Sequence, residues 1–157
     1  FVPGADTQEN VNALKEFTKQ WQESGQAPKS ESKRLNDAFY NKLEEFYGTI
    51  AGSEEEKQLI KFKLKIERFE ASADGLDMLS KENDYVRKQI NDIQHHLNTY
   101  ENNMGNFKSS SKTKSPFIIE MENKIAAEKA LVEEWKKKQK LVKAAMDKMS
   151  KPQQTAG

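Results

Sequence analysis

His95 and His96 are the chain's only histidines, and a histidine pair is the first place to look for a metal or a proton shuttle. Their adjacency argues against a shared metal. On a helix, neighbouring side chains point about 100° apart, so the two rings cannot converge on one ion. Asp92 and Glu101 lie within a turn or two, yet no spacing in this stretch resembles a zinc site. The doubled carboxylates, Glu44-Glu45, Glu133-Glu134 and the "SEEE" run at 53–56, could supply an acid and a base. Each falls where a helix surface or a first helical turn accounts for it. Seven glycines are scattered and none follows a strand, so no phosphate-cradling loop is present. These residues give no active site. The chain reads as a non-enzyme that needs no cofactor and no metal.

Two lysine groups remain. Lys108, Lys112 and Lys114 stand among serines, and Lys136, Lys137, Lys138, Lys140 and Lys143 lie close together further on. Residues 136–157 carry seven lysines against one acid, Asp147, although the whole chain is only +1. Lysines without arginine forks suit sequence-independent contact with phosphates, so all eight are candidates for that role. On a helix the second group spreads into a basic sleeve rather than one stripe. Trp21 and Trp135 could stack on bases, but each falls on an apolar helical face, which favours a core position.

The elements that carry these residues are helical. Charged residues make up 32% of the chain, above the roughly 25% of an ordinary domain, and long helices that bury narrow stripes tolerate such a composition. Asp6 and Glu9 open a first helix to Glu23, with Val11, Leu14, Phe17, Thr18 and Trp21 on one face. Gly25 suits a left-handed terminus and Pro28 a break. Ser30 is the expected cap of a second helix ending at Phe46, with Leu35, Phe39, Leu43 and Phe46 buried. Ser53 and Glu56 form a capping box for a third helix with Leu59, Phe62, Ile66 and Phe69 on its seam, while Ile60 and Leu64 are left exposed.

A break at Gly75 precedes a helix from Leu76 to Asn103, marked by Leu79, Val86, Ile90, Ile93, Leu97 and Tyr100. Ser115-Pro116 then restarts the pattern through Ile118, Met121, Ile125, Val132, Trp135, Val142, Met146 and Met149. Glu128 and Gln139 hold the two seam positions without an apolar residue. The eleven residues "GNFKSSSKTKS" between them have no apolar period, so the two arms fold back antiparallel. The expected division is a helical repeat-like segment at 1–52, a long helix and coiled-coil hairpin at 53–151, and a disordered tail at 152–157. The core includes Trp21, Leu35, Phe39, Phe46 and Trp135. The fold class is all-α, a short helical pair followed by a long antiparallel coiled-coil hairpin.

The stretch "WQESGQAPKSESKRLNDAFYNKLEEF" resembles the repeat called domain of unknown function 349, found in bacterial proteins. The residues that carry the resemblance are Trp21, Gly25, Pro28, Leu35, Phe39 and Phe46, with Ala27 where the repeat usually has Val. "QLIKFKLKIERF", "NDYVRKQI", "YENNMGNF" and "EEWKKKQKLVKAAM" are similar to the segments after the final repeat in members with several repeats. The resemblance implies a helical C-terminal end of such a protein and implies no activity.

The absence of cysteine excludes disulfides and allows a reducing compartment, so a cytoplasmic location is expected. No leader and no membrane span is expected either. The functional expectation is a scaffold or interaction module whose hairpin contacts another protein. The alternative is a nucleic-acid or ribosome-associated factor that uses the terminal lysines on RNA. A monomer is expected, with a dimer open through Ile60 and Leu64.

Overall fold

The computed structural model describes residues 1–25, 27–108 and 115–151. Among them are five helices and no strand: α1 (Thr7–Glu23), α2 (Lys29–Ile50), α3 (Glu54–Glu70), α4 (Gly75–Lys108) and α5 (Pro116–Ser150). The chain divides into two compact units. The first is Phe1–Leu79 with the end of α5 from Met149, and the second is Ser80–Lys148. The boundary thus falls inside α4 and not after residue 52, because α3 packs on α2 within the first unit. The expected tail at 152–157 lies outside the described residues.

Helix starts follow local chemistry. The Asp6 carboxylate accepts the Glu9 N–H at 2.9 Å. Ser53 and Glu56 form a reciprocal capping box: Ser53 Oγ accepts the Glu56 N–H at 3.1 Å, and Glu56 Oε2 accepts the Ser53 N–H at 3.3 Å. Ser115 Oγ accepts the Ile118 N–H at 3.4 Å, ahead of Pro116 at the first helical position. Gly25 has φ 90°, the left-handed conformation that lets the chain leave α1 without a Cβ penalty.

The second helix departs from expectation at both ends. It begins at Lys29 and is capped by Pro28, not Ser30; the Pro28 carbonyl accepts the N–H groups of Glu31 and Ser32, both at 2.9 Å. Proline's missing N–H costs nothing at a helix start, where that donor has no partner anyway. The helix also runs past Phe46 to Ile50, because Tyr47 and Ile50 pack on the core. That burial outweighs the low helix propensity of Gly48.

The centre of the first unit is Leu14, Tyr40, Leu43 and Leu64, flanked by the half-buried Phe39, Phe46, Tyr47 and Ile60. Two expectations are corrected here. Leu64 is buried and Ile60 is half-buried beside it, so neither is exposed as expected. Leu35 is only half-buried and lies outside this cluster, whereas Tyr40 belongs to it. The reason is that α2 meets α1 on one side and α3 on another, which broadens its buried stripe beyond a single seam.

Specific contacts set the packing of each pair. The Trp21 ring stacks on Phe39 with centroids 4.5 Å apart and planes 8° from parallel, and its Nε1–H donates to Asn36 Oδ1 at 3.1 Å. Asp37 accepts from the Arg68 guanidinium, and Lys61 Nζ lies 3.3 Å from Glu44. As α2 advances from 37 to 44, its partner on α3 recedes from 68 to 61, so the two helices are antiparallel. Asn10, buried on α1, bonds Gly4 reciprocally at 2.8 and 2.9 Å and ties the first residues down.

Tyr40 is 2% exposed, and its hydroxyl has no partner in hydrogen-bonding geometry among the described residues. Burial pushes its phenol pKa up; the nearby Gln22 side chain opposes this, and Glu67 and Glu70 reinforce it. A buried hydroxyl without a partner costs roughly 1–3 kcal/mol, so Tyr40→Phe is expected to stabilise the first unit by about 1 kcal/mol. The raised pKa sets the sign with pH. Between the unfolded value near 10.0 and the higher folded one, the folded chain holds a proton that the unfolded chain has released, so stability falls as pH rises through that window. Denaturant titrations of the two proteins on either side of pH 10 check both points. A variant no more stable at neutral pH, with an unchanged alkaline slope, is the contrary result.

In the second unit α4 and α5 pack against each other. Tyr85 meets Trp135 edge-on at 5.9 Å, Glu101 pairs with Lys129 at 2.9 Å, and Phe107 meets Phe117 at 4.8 Å. Partners on α5 recede as α4 advances, which is an antiparallel hairpin. Val86, Ile93 and Leu97 face Ile118, Met121, Ile125, Val132 and Val142 in a buried seam. Glu82 occupies a seam position that the apolar pattern skipped, and it is buried as well.

Candidate interaction surfaces

Exposure and pairing sort the candidate lysines of α5. Lys136 Nζ donates to Glu133 at 2.9 Å, and this bond, with the Lys136 charge, holds the Glu133 carboxyl below its ordinary pKa. Lys138 is half-buried, its ammonium 4.3 Å from the centre of the Trp135 ring, a cation–π placement that turns it away from solvent. Lys137, Lys140 and Lys143 are exposed. At 100° per residue, Lys136, Lys140 and Lys143 share one face, with Lys137 at its margin. The sleeve expected from sequence is therefore a stripe of three with one flanking charge. Lys112 and Lys114 lie outside the described residues, and Lys108 ends α4.

The remaining candidates are accounted for locally. His95 and His96 are both exposed, and no group of acids and histidines among the described residues could hold a metal. Glu44 pairs with Lys61, Glu45 with Lys42 at 2.8 Å, and Glu56 is engaged in the capping box. Trp21 is committed to Phe39 and Asn36, and Trp135 to Tyr85 and Lys138. No helix among the described residues is long and apolar enough to cross a membrane.

Sequence reasoning missed an aromatic pair where the hairpin arms turn. Phe107, near the end of α4, and Phe117, at the start of α5, contact each other at a tilted 59°, and each is nearly half exposed. Ile119, just beyond Phe117, is 48% exposed. A heptad pattern cannot mark such residues, because they lie off the seam. The signal that could have found them is two aromatics flanking a polar stretch, "NFKSSSKTKSPF".

No family model, curated protein or solved structure matches this chain, so the likeness to domain of unknown function 349 rests on the quoted residues alone.

Proposed function

We propose that the chain is a non-enzymatic helical interaction module that engages a protein partner through the turning end of its hairpin. The observation that carries this reading is the exposed Phe107–Phe117 pair with Ile119 beside it. Aromatic side chains left in water on a rigid scaffold are the groups that contribute most when a partner covers them. The packed seam beneath holds the hairpin together without them, so their outer faces can serve contact with another molecule.

The second reading is contact with RNA or a ribosome through Lys136, Lys137, Lys140 and Lys143, favoured by the three lysines on one exposed face. One pair of variants separates the two. Phe107→Ser with Phe117→Ser is expected to remove cross-links to a protein partner and leave polyanion binding untouched. Lys136, Lys137, Lys140 and Lys143 changed to Gln should leave those cross-links in place if the first reading holds. If RNA is the ligand, that variant instead flattens the log–log salt dependence of binding by roughly three to four units. Protein cross-links that survive the loss of both phenylalanines count against the first reading.

A further inference from the structure

The α5 helix carries a second face at heptad spacing. Ala127, Ala130, Glu134, Lys137, Leu141 and Ala144 follow one another by three, four, three, four and three residues, on the side of the helix turned away from the seam with α4. Five of the six are exposed and Leu141 is half-buried. The charges along this helix are ordered. From Pro116 to Glu134 it holds five acids and two lysines, and from Trp135 to Ser150 six lysines and one acid, Asp147. A helix dipole favours acids in the first turn and lysines in the last, but its reach ends there. Glu133, Glu134, Lys136 and Lys137 stand in the middle of α5, so folding of the helix does not account for their order.

We propose that this outer face of α5 pairs antiparallel with the same face of a second copy of the chain. A helix that reads acidic and then basic is complementary to itself in that direction alone. Side by side in parallel, Glu134 would meet Glu134 and Lys137 would meet Lys137. Antiparallel, Glu134 meets Lys137 of the second copy, and two-fold symmetry makes the contact twice. The same register sets Ala127 beside Ala144 of the second copy and Ala130 beside Leu141 of the second copy. At the rim it brings Glu133 near Lys140 of the second copy, and no like charges face each other along the contact line. The alanines only permit a close approach; the charges choose the partner. A nucleic acid suits this face less well, because Glu133 and Glu134 stand on it. The face is distinct from the Phe107–Phe117 end of the hairpin, and neither reading depends on the other.

The test is the mass of the whole chain by sedimentation equilibrium over a range of concentrations, in low and in high salt. A reversible dimer is expected in low salt and a weaker one in high salt, which screens exposed ion pairs. Glu134→Lys and Lys137→Glu should each weaken the dimer about tenfold by setting like charges at the contact. The two changes together should restore it. Both residues are exposed, so the far-UV circular dichroism spectra of all three variants should match that of the unaltered chain. The chain has no cysteine, which lets Ala127→Cys and Ala144→Cys report the register. Mixed and oxidised, the two single variants should form a disulfide-linked pair, and neither should do so alone. The proposal is overturned by a mass of one copy at every concentration in low salt, or by a double charge variant that associates no better than the single ones. It is also overturned if either cysteine variant cross-links as readily alone as in the mixture.

Discussion

Gly75→Ala is expected to destabilise the first unit by about 3 kcal/mol, the upper end of ordinary overpacking, and to lower its melting temperature by roughly 6–12 °C. A Cβ at residue 75 would stand 1.9 Å from the Phe69 carbonyl oxygen and 2.9 Å from its carbon. Those are backbone atoms of the last turn of α3. The same carbonyl accepts the Ser72 N–H at 3.0 Å, and Gly75 N–H itself donates to Ser72 at 3.1 Å. Moving the carbonyl aside therefore breaks the turn that joins α3 to α4. Met149 Cε, the other near neighbour at 3.0 Å, is a flexible tip and can yield. The glycine is there for space, since its φ is not positive. Gly25 is the contrast: it has positive φ and nothing within 4 Å of where an alanine methyl would sit, so Gly25→Ala should cost only about 1 kcal/mol through backbone conformation. Thermal melts that place the two variants within about 2 °C of each other would sink the argument.

Leu14→Ala is expected to cost about 3–4 kcal/mol, within the range for a buried leucine. Leu14 is 1% exposed and joins Tyr40, Leu43 and Leu64 at the centre of the first unit. It also lines a small apolar hollow with Phe1, Phe17 and Phe46, so truncation enlarges a space the neighbours already fail to fill. The cost of such a change grows with the cavity left behind. Phe17→Ala is the control: Phe17 is 45% exposed, touches Phe1 edge-on at 6.3 Å, and should lose about 1 kcal/mol. Urea titrations of both variants check the difference. Equal losses would mean that Leu14 is not the centre of this packing.

Where the chain states a local rule, the fold was legible. Asp6, Ser53, Gly25 and Ser115-Pro116 mark helix ends by groups that bond or release the backbone within a few residues. The hairpin followed from two three-four patterns that can bury only each other. Packing between distant segments was not legible. The last turn of α2 is held by burial of Tyr47 and Ile50, against the local signal of Gly48. Leu64 looked exposed because one helix shows one seam, while α3 buries Leu64 on one face and Phe62 and Ile66 on another. The candidate surfaces fared in the same way. Composition located the lysines, but that Lys136 bonds Glu133 and Lys138 lies over Trp135, each three residues back on α5, is side-chain geometry that composition does not show.

The distribution of the two tryptophans has a practical consequence. Trp21 belongs to the first unit and Trp135 to the second. One indole lies flat on a phenyl ring, and the other sits under an ammonium group. Their emission should therefore differ in intensity and wavelength. Trp135→Phe leaves a fluorophore that reports only on the first unit, and Trp21→Phe leaves one that reports only on the second. The chain carries its own pair of optical probes, with which the unfolding of each half can be timed separately.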